Sequence, residues 1–142
     1  MSDLAARQQR LIALFHGAPI QKVTGMTFRY DDDGHAVFTM PYNPNFNHAM
    51  GAIHGSVFGT LVDNAGWFTV APHYENWIVT VEYSTRLHEP VSKEMLIATG
   101  KIVRMGGRMA SAEMEIRTPN GTLAATGAGT FIVTAQPYDQ EK

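Results

Sequence analysis

The sequence predicts an α+β fold, an antiparallel sheet wrapped around one long central helix. The elements read in the order helix, two strands, long helix, four strands. The second helix carries Val57, Leu61, Ala65 and Phe68 on one face, with Phe58, Val62 and Thr69 beside them, which is too apolar for a surface position. In AEMEIR, within the strand Arg108 to Arg117, charges alternate with apolar residues, as in a sheet with one wet face.

Taken in order, Ser2 can cap a first helix, about 2–16, in which Leu4, Leu11, Ile12, Leu14 and Phe15 follow a helical period. Gly17 and Pro19 close it. Val23 to Tyr30 and His35 to Met40 read as two strands around the DDDG turn, Asp31 to Gly34. That acidic run is too short for an EF-hand loop and reads as a solvated turn. Pro41 to Ala52 is a loop rich in Asn, Pro and Gly, and the long helix follows from about His54 to Val70. Four strands complete the chain: Trp77 to Thr85, Met95 to Arg104, Arg108 to Arg117 and Leu123 to Val133. The MGG and PNG sequences at Met105 to Gly107 and Pro119 to Gly121 mark tight turns.

The 142 residues suit one domain, with a core at about 23–133. Hydrophobic content of 44% and charged content of 17% describe a globular protein somewhat poor in charge. A formal net charge of −2 gives no electrostatic reason to expect nucleic acid or an anionic membrane as partner. The absence of cysteine excludes disulfides, thiolate metal sites and cysteine nucleophiles, and fits a cytoplasmic location. The opening MSDLAARQQRLIALFHG lacks the basic-then-apolar layout of a signal peptide. Ile53 to Ala71 is long enough to span a bilayer, but His54, Asp63, Asn64 and three glycines make it a buried soluble helix instead.

One residue in that helix stands out. Between Pro41 and Tyr74, Asp63 is the single Asp, Glu, Lys or Arg. A lone carboxylate among Leu61, Val62, Ala65 and Phe68 is costly to desolvate unless something offsets it. A structural acid bonded to backbone is one reading; a working group is the other.

The pattern Gly51-x-x-His54-Gly55, eight residues before Asp63 in LVDNA, resembles the hotdog-fold acyl-CoA thioesterases, in particular the phenylacetate-pathway (PaaI-like) branch. The resemblance runs from about Val23 to Val133 and includes the closing GTLAATGAGTFIV strand. It implies hydrolysis of an acyl-CoA thioester to a free acid and CoA, with no metal or organic cofactor. By the same resemblance Gly55 gives its backbone N–H to the thioester oxygen. Asp63 activates water or attacks directly, and Thr80 helps to hold the water. His48 stands where the family usually has Asn, seven residues before the glycine, with Asn47 adjacent; the common HGG reads HGS, at Ser56.

Physical chemistry supports these roles independently. A helix N-terminus has unpaired N–H groups and partial positive charge, which suits an oxyanion. A carboxylate near the reacting carbon can serve as general base or nucleophile. The eight residues from Gly55 to Asp63 span about 12 Å of helix, so one chain's pair cannot meet one carbonyl group. An antiparallel partner brings one chain's Gly55 beside the other's Asp63, which implies a homodimer or homotetramer with active sites at the subunit interface.

Competing readings attach to each residue. A related hotdog dehydratase or hydratase would use His48 and Asp63 for proton transfer, although the HFPGHP signature of those enzymes is absent. A non-catalytic acyl-CoA-binding protein is a third reading. His54 reads first as a residue that orients the helix entry and second as a substrate contact. Thr80 is a catalytic candidate or a plain sheet residue, and Trp67 and Phe68 line an acyl pocket or the core. Arg86, Arg104 and Arg108 lie at or near strand ends, where the family commonly holds CoA phosphates. His48, His54, Asp63 and His73 match no standard metal spacing.

Overall fold

The computed structural model describes residues 3–138, so the Ser2 cap lies outside the described residues. Helix α1 spans Asp3–His16 and buries Leu11 and Phe15. Its end is followed at once by a second helix, α2, over Pro19–Thr24. The strand expected from Val23 therefore begins later, as β1 at Thr27–Tyr30. Pro19 sits in the first turn of α2, where its missing N–H costs nothing and its fixed φ is already helical; the residue that stops α1 also starts α2. Gly25, at φ 69°, ends that helix in the left-handed region.

The remaining elements are β2 (Ala36–Met40), α3 (Gly55–Val70), β3 (Asn76–Leu87), β4 (Leu96–Met105), β5 (Met109–Arg117) and β6 (Leu123–Pro137). They agree with the expected helix and strands, with β3 and β6 running further. The six strands form one antiparallel sheet in the order β1-β2-β4-β5-β6-β3. It curls around α3, whose Leu61, Val62 and Ala65 are fully buried. The helix packs very close to the sheet because β4 and β6 present glycine beneath it. A Cβ on Gly127 would stand 2.5 Å from Val62, and one on Gly100 would run into the Ala65 carbonyl.

Two features of this architecture position the site. α3 runs antiparallel to β3: Gly55 lies beside Leu87, Gly59 beside Tyr83, and the Trp67 indole donates to the Ile78 carbonyl at 3.0 Å. And β3 is an edge strand of twelve residues on which Val79, Val81, Tyr83 and Leu87 are exposed. A long, apolar sheet edge presents unpaired backbone groups to a matching strand.

Among the described residues no helix is long and apolar enough to cross a membrane.

Candidate functional site

Asp63 projects from the middle of α3 toward β3, at the margin of the helix that the sheet leaves open. Thr80 Oγ1 donates to Asp63 Oδ1 at 2.7 Å. Burial pushes the Asp63 carboxyl above its ordinary value, and the Thr80 hydrogen bond pulls in the opposite direction with less effect. The carboxyl is thus neither sealed in the core nor freely hydrated. It borders an apolar groove of about 370 Å³ that runs between α3, β3 and the α1–α2 corner. Neighbouring Asn64 donates to the Thr60 carbonyl at 2.9 Å. Trp67, nearly buried, lies along the groove and packs against Trp77, the rings tilted by 55° with centroids 4.8 Å apart.

The loop before α3 is built as a tight turn. Gly51, at φ 88°, supplies the left-handed residue that the turn needs, with its N–H on the His48 carbonyl at 3.0 Å. His48 is exposed, and its Nδ1 accepts the Met50 N–H at 3.0 Å. A neutral His48 therefore carries its proton on Nε2, facing away from the turn as a donor. Asn47 donates to the Tyr42 hydroxyl at 2.8 Å, while its buried side-chain oxygen has no partner among the described residues.

His54 caps α3. Its Nδ1 accepts the Ser56 N–H at 3.1 Å and lies 2.7 Å from the Ser56 hydroxyl. This accounts for both residues locally, through the orphan donors of a helix start. The N–H of Gly55, the first helical residue, makes no hydrogen bond among the described residues. It remains available to an acceptor at the positive end of the helix.

Asp63 with Thr80, and Gly55 beside Leu87, thus lie at opposite ends of one stretch of α3 and β3. The arginines divide as well. Arg86 is near the C-terminal end of β3, on the sheet face away from α3. The Arg108 carbonyl accepts the Val133 N–H, and Val133 pairs with Ile78 at the other end of β3, so Arg104 and Arg108 belong to that end. The three arginines do not converge within a chain. Arg86 opens onto a larger concavity, about 760 Å³, together with Lys101, Glu113 and Glu115. Its charges, of both signs, are all exposed to solvent, so its size does not make it the reactive site.

His48, His54, Asp63 and His73 do not come together as a ligand set; the one such grouping among the described residues is Asp31, Asp33 and His35 on the β1–β2 turn. There Asp31 Oδ1 accepts the backbone N–H groups of Asp33 and His35, as in an ordinary Asx turn.

Sequence reasoning missed the groove wall made by Leu14, Ala18 and Ile20, because it read Pro19 only as a stop. The signal was there, in a proline placed to open a helix.

Comparison with known proteins bears on the family and the fold. Residues 50–125, more than half of the chain, match the thioesterase superfamily, and they include Gly55, Asp63 and Thr80. A protein of Saccharolobus solfataricus described as a candidate esterase is 28% identical over 105 residues, covering 72% of this chain and 74% of its own. One from Halobacterium salinarum, described in the same way, is 29% identical over 123 residues, covering 77% and 80%. Among solved structures, the Escherichia coli PaaI protein from the phenylacetic acid degradation operon superposes with a TM-score of 0.86 at 19% identity, over 96% of this chain and 99% of that one. A thioesterase of Haemophilus influenzae gives 0.82 at 17% identity, over 95% and 94%. The curled sheet around α3 is the hotdog fold of these neighbours, and the family match supports a hydrolase role of the esterase or thioesterase kind. With more than half of its length matched, the chain belongs to the thioesterase superfamily.

Proposed function

We propose that the protein hydrolyses acyl-CoA thioesters, with Asp63 as general base or nucleophile and the Gly55 N–H as oxyanion donor. The observation that carries this reading is the Asp63–Thr80 pair at the rim of an apolar groove. A carboxylate that retains solvent access, held by a hydroxyl that donates to it at 2.7 Å, is suited to polarise a water molecule bound beside the pair. Thr80 orients that carboxylate; Gly55 stabilises the charge that develops on the thioester oxygen.

The Asp63 and Gly55 half-sites become whole in a homodimer joined along β3. Gly55 lies beside Leu87, and Asp63 bonds Thr80. If two β3 edges pair antiparallel with Leu87 opposite the partner's Thr80, then Gly55 comes to the partner's Asp63. The two-fold axis then passes beside Ser84, because the irregularity between Thr80 and Glu82 absorbs one residue. The same pairing covers the exposed Val81 and Tyr83. His48, on the loop next to Gly55, joins that composite site as a second donor to the thioester oxygen. Asn47, His54 and Ser56 shape the loop and the helix start around the substrate. Arg86, Arg104 and Arg108 are the cations for CoA phosphates, drawn from different subunits.

The dehydratase alternative needs His48 as a proton-transfer base. Its Nδ1 is already occupied by the Met50 N–H, which leaves an Nε2–H donor and favours polarisation. His48→Asn therefore retains substantial thioesterase activity, measured as kcat/KM; complete loss would favour proton transfer by His48. Thr80→Val removes the hydrogen bond that holds the Asp63 value down. The acid limb of the kcat/KM profile, where activity falls as Asp63 takes up a proton, should move to higher pH. An unmoved limb with unchanged kcat removes Thr80 from the site.

A panel of acyl-CoA substrates read by thiol release tests the whole reading. Thiol release above the Asp63→Asn background supports it. Ligand binding without turnover would leave a binding protein, and water loss from a 3-hydroxyacyl thioester would leave the dehydratase.

A further inference from the structure

We propose that the groove beside Asp63 is the acyl-chain site, that it takes an unsubstituted hydrocarbon acyl group of roughly ten carbons, and that Leu14 and Ile20 set its length. This rests on the reading of Asp63 as the hydrolytic centre.

The groove is polar at one end and apolar at the other. Asp63, Asn64 and Thr80 line it where α3 meets β3, whereas Leu14, Phe15, Ala18 and Ile20 line it at the α1–α2 corner. Between them, Trp67 has its only polar atom committed to the Ile78 carbonyl, and its ring is fixed against Trp77 and Phe68. An acyl thioester with its reacting carbon at Asp63 therefore extends its tail toward Ile20.

Size and chemistry narrow the tail. A closed apolar cavity of about 150 Å³ accepts benzene, so the groove's 370 Å³, part of it open to solvent, suits roughly ten carbons. Among the described residues, no cation and no free side-chain donor lines the apolar part. A terminal carboxylate would lie in the same groove as Asp63 without a counter-ion, and a hydroxyl would lose water without gaining a partner. Leu14 and Ile20 are 43% and 46% exposed, more than their place over an aromatic wall would suggest, and a bound chain would cover them.

The test is a series of straight-chain acyl-CoA substrates with the wild type, Ile20→Trp and Leu14→Trp, each checked for folding and oligomeric state. Both side chains are half-exposed, so a bulky replacement leaves the core intact. In the wild type kcat/KM should rise about fourfold per methylene until the groove is filled. In both variants the decanoyl-to-hexanoyl ratio should fall at least about tenfold. Decanoyl-CoA should exceed its carboxylated and its hydroxylated analogue by a similar factor. If the wild type hydrolyses no acyl-CoA, the thioesterase reading itself fails. If it does so, but neither variant changes the chain-length profile, or the carboxylated analogue is turned over equally well, the acyl-site proposal is overturned while the catalytic reading stands.

Discussion

Asp63→Asn removes thioesterase activity by at least about a hundredfold and leaves the fold as stable as before, or more so. Asn has nearly the shape of Asp, and its oxygen still accepts from Thr80, whose hydroxyl donates at 2.7 Å in the native protein. What is lost is the negative charge needed to take a proton or attack a carbonyl carbon. The stability side follows from the raised carboxyl value. Burial disfavours the ionised form in the folded protein more than in the unfolded chain. From the ordinary aspartate value up to the raised one, the native state holds a proton that the unfolded chain has released. Rising pH therefore lowers stability across that window, and the loss persists above it. Asn carries no such loss, so at neutral pH the variant should melt at or above the wild-type temperature. Below the ordinary aspartate value the difference should disappear. Thermal melts at pH 3.5 and pH 7.5, beside a thiol-release assay, check both halves. Wild-type turnover in a folded variant would remove Asp63 from catalysis.

Two inactive variants should restore activity when mixed. Gly55→Pro deletes the N–H assigned to the oxyanion, and the structure tolerates it. The position is the first of α3, where proline is favoured, and His54 before it already has the extended backbone, φ −61° and ψ 139°, that a following proline requires. A Cβ there meets only the end of the Leu87 side chain, at 3.1 Å. In a mixed dimer with Asp63→Asn, one composite site carries both defects and the other carries neither. Co-refolding equal amounts should recover up to about one quarter of wild-type activity, if half the dimers are mixed and each has one good site of two. Activity of either variant alone sets the baseline. Confirmed heterodimers with no recovery would confine the site to one chain.

The long-helix assignment, the alternating strands and the Gly55-to-Asp63 spacing were all legible in the sequence, because each is local. Helical and strand periods place side chains on faces within a few residues, and Asp63 drew notice by being the one charge in an apolar stretch. Even the proposal of a second subunit rests on helix rise alone. The α1–α2 corner was misread, because Pro19 is compatible both with ending one helix and with starting another, and the choice depends on what packs there. The tertiary structure decided what depends on strand order. It made β3, rather than another of the four late strands, the open edge; it brought Thr80 to Asp63; and it separated Arg86 from Arg104 and Arg108. It also brought Leu14 and Ile20 into one groove with Trp67. Those contacts join residues far apart in the chain, and a local period carries no information about which distant strand will close the sheet.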